Sequence, residues 1–240
     1  MGITLVVKSR PERLSLPEAY AAAAVLIGRL AQVHPDFREW WSNPRGPKDA
    51  FLPFGDRKGI IARMEEDEAE FPELKEKGAP GLLLTNAGDE KTWKKRGRIG
   101  WTINPSFGDM RLSIGNPEQA FERPTEIIWG ILKELSKVPG VWFAQTNVKQ
   151  RVGNDLLLYS IDRAPFPHRE FLGWMGYVNS PLAAEQVPDA ARLERQGNGT
   201  LILATEVLDL GNPAAIKQAN QVEMSLADLD LLPITDPSFL

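Results

Sequence analysis

The sequence predicts an α+β fold: a mixed, largely antiparallel sheet with packed helices. Three observations predict it. Strand-like and helix-like patterns are interspersed along the 240 residues without the strict alternation of a doubly wound parallel sheet. Arg111-Leu112-Ser113-Ile114 alternates polar with apolar residues, as a half-buried antiparallel strand does. Neither G-x-G-x-x-G nor G-x-x-x-x-G-K-[ST] occurs, so nothing points to a nucleotide-binding α/β fold.

The elements follow in order. Ile3 to Lys8 is rich in β-branched residues and reads as a first strand. Ser15-Leu16-Pro17-Glu18 is a capping box with proline in the first turn, so a helix starts there and runs to about Val33. Ala19, Ala22, Ala23, Leu26, Leu30 and Val33 give it one apolar stripe. His34-Pro35 stops it, with one more turn over Asp36 to Trp41, and Pro44, Gly46, Pro47 and Pro53 mark a loop. An acidic helix lies between Arg57 and Lys77, broken near Pro72. Gly81–Thr85, Ile99–Ile103 and Met110–Ile114 form a strand meander, and Pro124 to Val138 a helix closed by Pro139-Gly140. Val141–Thr146, Phe171–Val178 and Thr200–Thr205 are further strands. Asn212-Pro213 opens a last helix to about Met224, with a turn over Ser225–Leu229 and an extended tail carrying Pro233 and Pro237. The chain is read as a single domain, 1–240. Gly100-Trp101 and Gly173-Trp174 recur in strand settings, and Gly115-Asn116-Pro117 and Gly211-Asn212-Pro213 both precede helices. These recurrences suggest two similar subdomains, 1–120 and 121–240.

Composition narrows the function. Hydrophobic residues make up 42% and charged residues 25%, the balance of a soluble globular protein. The net charge of −4 argues against direct nucleic-acid binding, which needs cations to displace counterions from phosphates. The start lacks a basic leader, and the apolar run Ala21 to Ile27 is too short to span a membrane. With no cysteine there is no disulfide framework, and a cytoplasmic location is expected. No membrane partner is expected.

Chemistry-bearing residues are scarce. The two histidines, His34 and His168, lie far apart and each adjoins a proline, so neither a metal site nor a cofactor is expected. There is no G-x-S-x-G elbow. Glu65, Glu66, Asp67, Glu68 and Glu70 form a dense acidic run that reads as a solvated helix face or as a patch for a basic partner. A hydrolase or nuclease using Glu65, Asp67 or Glu70 with magnesium is the enzymatic alternative. Lys91, Lys94, Lys95, Arg96 and Arg98 surround Trp93 and read as a charged hairpin facing that run, although alone they would suggest nucleic acid. After Lys217 there is no cation while Glu223, Asp228, Asp230 and Asp236 remain, so the stretch from Asp209 to Asp236, with Asp209, Asp228 and Asp230 as candidates, reads as a second acidic surface. Of seven tryptophans, Trp129 and Trp142 fall on core patterns. Trp40 and Trp41 are adjacent, which leaves one of them, taken here as Trp41, available to a partner.

Four ordered segments then carry a resemblance. They are Phe171-Leu172-Gly173-Trp174-Met175-Gly176-Tyr177-Val178; Gly197-Asn198-Gly199 leading to Thr205-Glu206; Asn212-Pro213 with Ala219-Asn220; and Leu226, Leu229, Leu232 and Pro233. Together they resemble the immunity protein 52 family over about the last seventy residues. The resemblance implies a bacterial immunity protein that binds and neutralises a toxin encoded beside it. That toxin is expected to be a restriction-endonuclease-like nuclease effector of a type VI secretion system. An effector-binding adaptor or chaperone is the other non-enzymatic reading. Gly173, Trp174 and Tyr177 are then expected to define the fold, and the acidic residues and Trp41 to meet the toxin.

Overall fold

The computed structural model describes residues 1–46, 49–236 and 238. Pro47 and Pro237 lie outside them. In chain order the elements are β1 (Gly2–Lys8), α1 (Leu16–Val33), β2 (Trp41–Ser42), β3 (Leu52–Pro53), α2 (Arg57–Glu70), β4 (Leu82–Thr85), α3 (Glu90–Lys95), β5 (Ile99–Asn104), β6 (Asp109–Ile114), α4 (Pro117–Ala120), α5 (Pro124–Leu135), β7 (Phe143–Val152), β8 (Asp155–Leu158), α6 (Tyr159–Asp162), β9 (Met175–Val178), β10 (Arg192–Gln196), β11 (Gly199–Leu203) and α7 (Pro213–Asp228). The strands form one sheet in the order β10-β11-β9-β7-β1-β6-β5-β4-β2-β3, and β8 pairs with the far end of β7. Every ladder between these strands is antiparallel, and one parallel bridge joins Thr146 to Gly173. The α+β class and the largely antiparallel sheet are as expected.

Alternation decides which face is packed. In β1, β5 and β6 the buried row is Ile3, Leu5, Val7, Ile99, Trp101, Ile103, Met110, Leu112 and Ile114. α1 and α5 pack against each other and share one core with this row. The opposite row carries Thr4, Thr102, Arg111 and Ser113 and stays open, as one face of an antiparallel sheet can. At the other end, every residue of β9 and β11 is buried, so both faces are covered there. The edges are blunted: β10 carries Arg192, Glu194 and Arg195, and β3 ends in Pro53. Glu194 accepts from Lys133 and from the Trp129 indole on α5, while Arg192 lies 4.5 Å over that indole.

Local chemistry explains the helix ends. The Glu18 carboxylate accepts both the Ser15 backbone N–H (2.8 Å) and its hydroxyl (2.6 Å), so the predicted capping pair forms, with the serine as donor on both bonds. His34 Nδ1 accepts the Asp36 N–H at 3.2 Å, which makes the histidine a helix stop. Asn212 caps α7 through Ala214 N–H at 3.0 Å, and α7 runs unbroken to Asp228, where the sequence predicted a break near Met224.

Six short elements were not expected: β2, β3, α3, α6, β8 and β10. The charged hairpin predicted around Trp93 is a helix, capped by Asp89 and carrying a Glu90–Lys94 pair at 2.5 Å. Among the described residues no ion pair joins it to the acidic run. Trp142 is corrected too. It is 39% exposed, because it alternates with the buried Val141 and Phe143.

The Gly173-Trp174-Met175-Gly176-Tyr177 segment is internal. Gly173 sits at φ +72°, and a Cβ there would lie 2.0 Å from the Thr146 carbonyl oxygen. Both facts demand glycine. The Trp174 indole donates to the Thr205 carbonyl at 3.0 Å, and the Tyr177 ring packs on Gly199. The turn is held by Glu223 of α7. One carboxylate oxygen accepts the N–H of Leu172 (2.9 Å), the N–H of Gly173 (2.8 Å) and the Tyr159 hydroxyl (3.0 Å). The other oxygen is buried without a partner among the described residues. Burial pushes the Glu223 carboxyl up to about 7, against the pull of its three donors. Burial, then the charge of Glu223, raises the Tyr159 hydroxyl as well.

Two predictions follow from this clasp. Between about pH 4.5 and about 7 the unfolded chain releases the Glu223 proton while the folded chain keeps it, so stability falls as pH rises through that window, by about 3 kcal/mol from this group. Glu223→Gln removes the titration. Its unfolding free energy in urea, relative to wild type, should rise between about pH 5 and about pH 8, and an unchanged difference would show that Glu223 does not titrate there. Gly173→Ala should cost about 3 kcal/mol or more, the left-handed strain plus the clash. Gly153→Ala is the control: φ is +61° with nothing within 4 Å, so only about 1 kcal/mol should be lost in the same melts.

Candidate protein-binding ridge

The acidic run lies on a ridge made by α2 and the 3₁₀ turn Pro72–Lys77. Asp56 caps α2 through the Gly59 N–H at 3.0 Å. Only Ile60 and Met64 of α2 are buried, and Arg57, Lys58, Ala62, Glu65, Glu66, Ala69 and Glu70 face solvent. Pro72 cannot continue the helix and turns the chain back to Gly78. From Glu65 to Lys77 there are seven carboxylates and two lysines, a local charge of −5 in a chain whose total is −4. The negative charge of the protein therefore sits on this ridge, and the remaining residues sum to +1.

Not all of that charge is free. Arg45 pairs with Glu66 at 2.7 Å and with Asp67 at 2.5 Å, and Lys75 pairs with Glu68 at 3.5 Å. Arg63 pairs with Asp49 at 2.8 Å and donates to the carbonyls of Asn43 (2.9 Å) and Ala50 (2.7 Å). These two arginines stitch the loop after β2 onto α2. The Arg45 N–H, then the Ala50 N–H and the Arg63 charge and bonds, hold the Asp49 carboxyl below its usual range. Glu65 and Glu70 are exposed and make no ion pair among the described residues.

Beside the carboxylates lies an apolar strip that the sequence reading missed. Phe71 is 47% exposed at the end of α2, and Phe107 is 53% exposed in the turn Pro105–Phe107. They flank a groove of about 350 Å³ that Asp67, Glu68, Lys75 and Ser106 also line. The Lys77 ammonium sits 4.9 Å from the Phe107 ring centre. A second hollow of about 190 Å³ shares Asp67 and Gly81 with the first and is bordered by Leu83, itself 53% exposed. The one signal available in sequence was a phenylalanine set between a run of acids and a helix-breaking proline.

The other predicted site residues are scattered. Trp40 is buried, and Trp41 is half-buried in β2, where its indole packs on Gly88. Asp209 is a loop staple, accepting from Gln150 at 2.8 Å and from the Gly211 N–H at 2.9 Å. Asp228 is the last residue of α7 and Asp230 lies just beyond it, both exposed at the end of a helix about 24 Å long whose start is at Asn212, and Asp230 pairs with Arg169 at 3.3 Å. Gly173, Trp174 and Tyr177 are buried. Asp67 and Glu70 are three positions apart, about 60° around α2 and so on one side, whereas Glu65 lies roughly 140° or more from both. Among the described residues no group of three His, Cys, Asp or Glu is placed to hold a metal. Nor is any described helix long and apolar enough to cross a membrane.

No protein-family model matches this chain, and no curated protein does. Among solved structures it overlaps a Pseudomonas aeruginosa T6SS protein with 13% identity and a TM-score of 0.46, over 93% of this chain and 72% of that one. A likeness at that level establishes neither fold nor function.

Proposed function

We propose that this chain is an immunity protein that binds and neutralises a cognate toxin, a restriction-endonuclease-like nuclease effector of a type VI secretion system, through the α2 ridge. The observation that carries the reading is the concentration of the chain's negative charge beside two exposed phenylalanines. A nuclease cleft is basic because it must hold phosphate, so an acidic ridge is drawn to it and competes with its substrate. Electrostatic complementarity raises the association rate, while buried aromatic anchors hold the complex. The four segments that resemble the immunity protein 52 family support the same reading. The carboxylate–magnesium hydrolase is less favoured, since Glu65 lies on the opposite side of α2 from Asp67 and Glu70, and Asp67 is already paired with Arg45.

The test is cleavage by the nuclease encoded in the neighbouring gene, with this protein titrated in. Cleavage should vanish near a one-to-one ratio. Binding with cleavage intact would instead support an adaptor or loading chaperone, and no binding would overturn both. Glu65→Lys with Glu70→Lys, chosen because neither glutamate holds the fold, should slow association about tenfold at low salt and much less at high salt. Phe71→Ala and Phe107→Ala should each speed dissociation, at a cost of about 2 kcal/mol if they are anchors. If neither pair changes the kinetics, the ridge is not the contact.

A further inference from the structure

The basic residues around Trp93 do not stand alone. Folding brings one of them, Arg98, to a third hollow, on the open face of the sheet, that the proposed toxin contact does not use. Arg98 precedes β5, Lys149 and Arg151 project from the end of β7, and Thr4 and Ser113 form its hydroxyl floor. Trp93 lines one side, and the volume is about 540 Å³. The three cations are exposed, and no carboxylate is among the described residues that line the hollow. Arg98 feels Glu90, which is itself paired with Lys94. The Trp93 ring is fixed by donating to the Ile99 carbonyl at 2.8 Å. Arg98 holds a left-handed backbone, φ +55°, with its N–H on the Trp93 carbonyl and its side chain lying across Gly115. A non-glycine residue in that region is strained, and such strain collects where a side chain must be aimed.

Three cations, two hydroxyls and a fixed indole in an open hollow match one ligand chemistry, phosphate joined to a planar ring. We propose that this hollow binds the phosphate and base of a nucleotide, either free or within a single strand. Arg98, Lys149 and Arg151 take the phosphates and Trp93 stacks on the base. The chain's net negative charge does not oppose this, because that charge lies on the α2 ridge and the remainder is slightly positive. The inference is independent of the proposed toxin contact.

The test is fluorescence anisotropy of a labelled oligothymidylate with the full chain at about 50 mM salt, where phosphate contacts are strong. Saturable binding should weaken with salt at a log–log slope of about −2, as three phosphate contacts on a single strand give. Lys149→Glu with Arg151→Glu should lower affinity about tenfold or more and flatten the slope, with the thermal melt unchanged. Lys58→Glu with Lys217→Glu makes the same charge change elsewhere and should leave binding nearly intact. Competition by ATP identifies a free nucleotide as a ligand, and failure to compete identifies the strand. No saturable binding of either probe would overturn the site, as would equal losses in the two double variants. Competition by pyrophosphate as strong as by ATP would overturn the role given to Trp93.

Discussion

β1 is the constraint on which the rest depends. It pairs along its whole length with β6 on one side and β7 on the other, and so joins two groups of strands into one sheet. The partner residues in β7 lie some 140 positions away in sequence, so the centre of the fold is closed by its longest-range strand pairing. Ile3, Leu5 and Val7 point from this strand into the helices, and Thr4 points to the open face. A one-residue slip of β1 would exchange these rows, burying the hydroxyl floor and exposing the core. The same register positions Lys149 opposite Gly2 and so builds the basic hollow.

The distribution of charge is the second organising fact. The overall balance is mild, yet the ridge is strongly acidic and the open sheet face is basic. The two are held apart. α2 packs at the β3 end of the sheet, while the hollow lies over its middle. Arg45, Arg63 and Lys75 keep part of the ridge neutral and rigid, and leave Glu65, Glu70 and the two phenylalanines as the outward-facing set. A surface with fixed carboxylates and exposed rings is pre-organised for a partner, because little side-chain freedom remains to be lost there.

Much of the fold was legible in sequence, for identifiable reasons. α1 and α7 carry cap residues with proline in the first turn, and β1, β5 and β6 have clear alternation. The elements that escaped, β2, β3, α3, α6, β8 and β10, are short and polar or lie at edges, where partners rather than periodicity decide the structure. The acidic helix and its break at Pro72 were legible, but the groove was not. It depends on Phe107 arriving from a turn 36 residues beyond Phe71, which no local pattern records. Glu223 was read as part of an acidic tail surface. Its burial shows only once α7 packs against the Gly173 turn. Likewise Arg98 and Trp93 gain meaning only from Lys149 and Arg151 on a distant strand.

The most direct measurement of the central claim is amide hydrogen exchange on this protein alone and in complex with its nuclease. The account predicts new protection confined to α2, the turn Pro72–Lys77 and the turn Pro105–Phe107. Protection centred on the far end of α7, around Asp228 and Asp230, with α2 exchanging as in the free protein, would contradict it.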